Sequence, residues 1–134
     1  MEKDIFKPAN KTWKDLDLNF SSHPATEDLT FLINASAIKR SVRNLLLTNK
    51  GEKLFNPTFG SDVTATLFED MDVVSVSFIK DSITDLLSTH EPRIVTTKIS
   101  LSNTGNNFSV RIEYYMISHP EELQVVETLM ERIR

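Results

Sequence analysis

From Arg93 onward the apolar positions of the chain recur every second residue. Val95, Thr97, Ile99 and Leu101 fall on one side, and Thr96, Lys98 and Ser100 on the other. The segment Asn103-Thr104-Gly105-Asn106-Asn107 reads as a turn. Beyond it Phe108, Val110, Ile112, Tyr114 and Met116 alternate with Ser109, Arg111 and Glu113. This period of two predicts a β-hairpin with one apolar face. Upstream the period is helical. Ile38, Val42, Leu45 and Leu46 predict a helix that begins near Asn34, a good N-cap, with Ile33 and Ile38 at the positions of a hydrophobic staple. A short helix over about residues 62–69 would bury Val63, Leu67 and Phe68. A longer one from about Val73 to Thr89, capped by Asp72, carries Val76, Ile79, Ile83, Leu86 and Leu87.

The two ends are less regular. In residues 1–30, Trp13, Leu16, Leu18 and Phe20 alternate loosely with charged and polar neighbours, and Pro8 and Pro24 exclude a continuous helix. The segment reads as an extended arm that lays apolar side chains on its own core or on a neighbour. Residues 31–134 read as a single domain. After His119-Pro120, the positions Val125, Val126, Leu129, Met130 and Ile133 fit a helical stripe better than a strand.

Rare punctuators fall in one order: Thr48-Asn49-Lys50-Gly51-Glu52-Lys53-Leu54-Phe55-Asn56-Pro57-Thr58-Phe59-Gly60, then Leu67-Phe68-Glu69, then Glu91-Pro92-Arg93-Ile94. Gly51 can end the first helix in a left-handed conformation, Pro57 stiffens the loop, and Pro92 restricts the residues before it so that helix gives way to strand. This order resembles the gene-product-25-like baseplate wedge family of contractile phage tails, which includes the related subunit of type VI secretion baseplates. Asp15-Leu16-Asp17-Leu18 and Thr26-Glu27-Asp28-Leu29 are similar to the family's N-terminal pattern. The resemblance spans roughly residues 15–133.

The resemblance implies an α+β fold: an N-terminal extended arm, three helices, and a small sheet made of the hairpin and a C-terminal strand. It thus sets a strand against the helical periodicity of the tail. It also implies a structural subunit of the virion's tail baseplate, assembled in the host cytoplasm, whose partners are other wedge proteins, the tail sheath protein and tube- or hub-proximal proteins. The implied interface comprises Glu91, Pro92 and Arg93 with the loop residues Gly51, Glu52, Lys53, Phe55, Pro57, Phe59 and Gly60. Val126, Thr128 and Met130 belong to the strand that would template sheath assembly by strand exchange. Lys53 stands where the family's pattern commonly has Arg, and it lacks Arg's two-pronged geometry.

On the residues alone, Glu91 and Arg93 admit two roles. The Arg93 fork either grips a partner's carboxylate or carbonyl, or it clamps helix to sheet within the chain. If it serves an interface, Arg93→Ala should weaken docking and leave stability nearly intact. The basic face Lys39, Arg40 and Arg43, followed by Lys50 and Lys53, is likewise either a solvated face or a docking face. The acidic stretch 62–91, with seven acids against one Lys, is its match inside or outside the chain.

Composition narrows the remaining options. The 134 residues suit one domain, 40% of them apolar and 25% charged, and the net charge of −4 offers no reason to bind nucleic acid or an anionic membrane. There is no Cys, hence no disulfide or thiol chemistry, which fits a reducing compartment. The N-terminus lacks the apolar run of a signal peptide, and no stretch approaches ~18 consecutive apolar residues. His23, His90 and His119 are too scattered to hold a metal, three Gly cannot build a phosphate loop, and no cofactor is expected. One alternative is the equivalent wedge subunit of a type VI secretion or other contractile injection system; another, since some family members carry lysozyme-type labels, is a peptidoglycan-degrading enzyme. Glu91 would then be the acid and Glu69 or Asp70 its partner. Arg93, two residues on, favours the ionised form of Glu91 and argues against that.

Overall fold

The computed structural model describes residues 13–17, 19, 24–25, 31–66, 72–105 and 107–131. Leu18, Phe20, Leu67, Phe68, Glu69, Asp70 and Ile133 lie outside them, as does the side chain of Ile33 and with it the expected staple.

The alternation in the hairpin sets the architecture. In β4 (Asn107–Met116), Phe108, Val110, Ile112, Tyr114 and Met116 all point inward and are buried. β4 is the middle of a three-stranded antiparallel sheet, between β3 (Ile94–Thr104) and β5 (His119–Glu131). A strand with partners on both sides satisfies its main chain completely, and its apolar face needs a cover. That cover is α1 (Ala35–Leu47) and α3 (Val73–His90), whose stripes Ile38, Val42 and Leu46, and Ile79, Ile83 and Leu87, share one core with the sheet.

β3 corrects the expected alternation. Ile94 points into the core while Val95 is exposed, yet Ile99 and Leu101 pack inward. A bulge between Thr96 and Lys98 accounts for this: Thr96 pairs with Tyr114 and Lys98 with Glu113, so Thr97 is the extra residue. One inserted residue moves the apolar set to the opposite parity.

The tail is a strand. Val126 pairs with Ile112, Thr128 with Val110 and Met130 with Phe108, so these three face the core while Glu127 and Leu129 face out. The helical spacing of the tail is overridden because β4 needs a second neighbour.

α3 follows its expected bounds, and the Asp72 side chain accepts from Ser75 N at 2.7 Å. α1 begins where expected, but Asn34 does not cap it. Asn34 sits at φ +50 and its Oδ1 accepts from Trp13 N (3.1 Å), while its own N–H donates to Trp13 O (2.9 Å). The side chain serves the arm instead, fixing β1 (Lys14–Leu16) antiparallel against β2 (Phe31–Ile33). Of the second helix, α2, the described residues contain only Val63–Thr66.

Candidate docking interface

Three features meet where α3 gives way to β3. The first is the corner itself. Glu91 N–H closes α3 on Leu87 O (2.8 Å), Pro92 is exposed, and Arg93 O accepts from Ile117 N (3.0 Å), tying the corner to the β4–β5 turn. The Glu91 side chain is 2% exposed. Arg93 grips it two-pronged, Nε to Oε1 at 2.5 Å and Nη2 to Oε2 at 2.8 Å, and Ser41 Oγ of α1 donates to Oε2 at 2.5 Å. Burial pushes the Glu91 carboxyl up, but the Arg93 bonds, the Ser41 hydroxyl and the Arg93 charge outweigh it and hold the group below its ordinary value. The Arg93 guanidinium is held above its own ordinary value, first by its bonds to Glu91. Nearby, Tyr114 has a buried hydroxyl with no hydrogen-bond partner among the described residues, pushed up to about 12 by burial and by the Glu91 charge.

The second feature is the arm, which the corner holds. Arg93 Nη2 lies 3.6 Å from Asp15 Oδ2, and the guanidinium sits 5.9 Å from the Trp13 ring. Two residues on, just past β1, Asp17 accepts from Arg40 Nη2 of α1 at 3.2 Å. The arm residues 13–17 therefore lie on this chain's own core, and Arg93 is a clamp within the chain.

The third is the loop between Gly51 and Gly60. Gly51, at φ +83, donates its N–H to Pro57 O (2.9 Å), and Asn49 N–H reaches Glu52 Oε2 (3.0 Å), so the loop is braced at its base. Gly60, at φ +117, runs so near the end of α1 that a Cβ there would meet Thr48 O at 2.5 Å. Phe59 folds back, its ring edge-on to His90 at 5.1 Å and under Lys53 Nζ at 4.1 Å, which fixes the loop beside the corner. Phe55 points the other way. It is fully exposed at φ +67, a left-handed conformation rare for a bulky side chain, and Leu54 beside it is nearly as exposed.

Of the expected interface, Phe59, with Lys53 over its ring, reaches the corner of Glu91, Pro92 and Arg93 through His90; Gly51, Glu52, Pro57 and Gly60 shape the loop behind it, and Phe55 is turned out to solvent. Val126, Thr128 and Met130 lie on β5 with their side chains buried, so in the folded chain those side chains are not at the surface. Sequence reasoning missed the roles of Trp13, Asp15, Asp17, Asn34 and Ser41. The paired acids of Asp15-Leu16-Asp17 were the available signal, since residues two apart on a strand share a side. Among the described residues no group of His, Cys, Asp or Glu is placed to hold a metal ion, and no helix is long and apolar enough to cross a membrane.

The family model of baseplate wedge protein gp25 matches residues 34–121, from the start of α1 through the loop and corner into β5. The chain belongs to the gp25 baseplate wedge family. The wedge chain is 24% identical over 120 residues to baseplate wedge protein gp25 of Enterobacteria phage T4, covering 88% of this chain and 90% of the relative. Three solved structures share its fold. A protein of Geobacter sulfurreducens provisionally named a tail lysozyme has a TM-score of 0.65 at 22% identity, covering 72% of this chain and 89% of that one. A chain of the anti-feeding prophage baseplate scores 0.63 at 16% identity, covering 92% and 88%. A chain of the post-contraction pyocin R2 baseplate scores 0.58 at 14% identity, covering 89% and 98%. The wedge chain is a gp25-like structural component of contractile tail systems, with the α+β fold of baseplate proteins.

Proposed function

We propose that this wedge subunit works by assembly alone, docking on other baseplate wedge proteins through its corner and loop and starting the tail sheath with the β5 edge of its sheet. The observation that carries the reading is the sheet's order. β4 is central, so β5, thirteen residues long, keeps one edge with no strand beside it among the described residues. Such an edge presents a row of main-chain donors and acceptors, and an incoming strand pairs with it in a register set by alternate side chains. The corner and the braced loop give the opposite requirement, a rigid surface by which the subunit is seated first. The subunit would then sit in the tail baseplate, assembled in the host cytoplasm.

Hydrolysis of peptidoglycan, suggested by the name of the Geobacter relative, needs a carboxyl that stays protonated to act as an acid. Glu91 is held in the opposite state by Arg93 and Ser41.

Paired proline substitutions test the edge. Adjacent residues of a strand direct their N–H groups to opposite sides, so of Val125→Pro and Val126→Pro one breaks the ladder to β4 and the other removes a donor from the free edge. The variant that keeps the wild-type melt should give baseplates bearing naked tubes in electron micrographs of assembled tails. Normal sheathed tails from that variant would refute edge templating.

A further inference from the structure

The Arg93 fork is occupied. Its Nε and Nη2 face Glu91 and Asp15, and the Trp13 ring lies against the guanidinium. A protein approaching the corner from the arm side meets the arm first. The arm in turn walls a groove of about 470 Å³ that no single element could make. Lys14 and Leu16 of β1, Arg40 and Asn44 of α1 and Phe59 of the loop line it. Each element is held in place by the corner. The arm is tied by Asp15 to Arg93, α1 by Ser41 to Glu91, and the loop by Phe59 to His90, the residue before Glu91. The groove is therefore a product of the clamp rather than a neighbour of it.

Its chemistry is also specific. Leu16 is 40% exposed and, with Phe59, gives the groove apolar surface. Its acid, Asp15, already faces Arg93, and Arg40 already holds Asp17, so Lys14 is the cation that the lining presents at the rim. Arg43, exposed and three residues on from Arg40, stands on the same helix face and extends the positive rim. Resting on the docking role proposed above, we infer that this arm-built groove is the docking surface, and that it receives a segment of another baseplate wedge protein carrying an apolar side chain beside a carboxylate. Arg93 and Glu91 are then positioning residues, acting on the partner through the arm.

The probe is the complex of the other wedge proteins of the same tail, purified without this subunit and titrated with the full chain. Leu16→Glu sets a charge where the partner's apolar side chain is expected, and Arg43→Glu reverses the rim at an exposed helix position. Both should melt as wild type and bind roughly 30-fold more weakly or worse, the size of loss typical of an interface anchor. Should Leu16→Glu fail to fold, Arg43→Glu and Lys14→Glu carry the test. Wild-type binding by the groove variants, with binding lost in Arg93→Ala at a temperature where it is folded, would overturn the groove and leave docking at the corner standing. Wild-type binding by all of them would remove both. Sedimentation of the chain alone gives the last outcome: self-association that Leu16→Glu abolishes would make the occupant a second copy and overturn the inference.

Discussion

Arg93→Ala is the perturbation whose cost the structure fixes best. Removing the guanidinium leaves Glu91, 2% exposed, without its charged partner, and breaking one side of a buried pair costs about 3–5 kcal/mol. Two features place the effect near the lower end. The Arg93 side chain is 20% exposed, so part of the pair is already solvated, and Ser41 Oγ still donates to Glu91 Oε2. Loss of the Asp15 contact adds little, because that pair is longer and Asp15 is 38% exposed. The expected loss is about 3 kcal/mol, which for a domain of this size lowers Tm by roughly 10 °C. This replaces the expectation of near-unchanged stability that a purely interfacial Arg93 would carry.

The pH dependence supplies an independent check. In the wild type Glu91 has a folded pKa below its unfolded one, so its contribution is fully present above the unfolded value and is lost as pH falls through the folded value. In Arg93→Ala, burial is opposed only by the Ser41 hydroxyl and the main-chain N–H of residue 93, and it pushes the Glu91 pKa up. The variant's penalty is therefore largest at neutral pH and shrinks as pH falls, because the variant's folded state takes up the Glu91 proton before the wild type's does. Urea melts of both proteins between pH 4 and 8 measure it. A penalty below about 1 kcal/mol at pH 7, or one that grows on acidification, would refute the clamp.

Gly60→Ala should destabilise by at least about 2 kcal/mol, since it combines a strained left-handed position with a Cβ 2.5 Å from Thr48 O; Gly51→Ala, with open space around its Cβ, bears only the backbone strain and should cost less in the same urea melts. Tyr114→Phe should be neutral or slightly stabilising, because it removes a buried hydroxyl that lacks a partner among the described residues, and a loss above about 1 kcal/mol would mean that the hydroxyl is satisfied after all. Purified protein should clear a peptidoglycan suspension no faster than buffer, and clearing abolished by Glu91→Gln would overturn the structural reading.

Much of this architecture is legible in the chain, for reasons that differ by element. The inward set of β4 and the stripe of α3 report periodicities long enough to be unambiguous, and Asp72 sits where a cap must. The bulge at Thr97 was visible only as the odd spacing between Ile94 and Ile99, a signal that has meaning once the β4 register is known. β5 shows why a short tail misleads. Val125, Val126, Leu129 and Met130 suit a helix locally, and only the unpaired side of β4 makes them a strand. At the corner, Glu91 and Arg93 were evident as a pair, but their burial depends on Ser41 fifty residues earlier and on an arm three residues wide in its pairing, neither of which leaves a periodic trace. Asn34 carries a capping residue's chemistry and spends it on Trp13, since the arm's main chain reaches that side chain first.

Where this subunit sits in an assembled baseplate decides its proposed role. A cryo-EM reconstruction of the tail at side-chain resolution should place the corner, the loop with Phe55 and the arm-built groove against other wedge proteins, with a sheath strand hydrogen-bonded along the free edge of β5. A reconstruction in which the β5 edge faces solvent while sheath grows normally, and the corner and groove touch nothing, would contradict it.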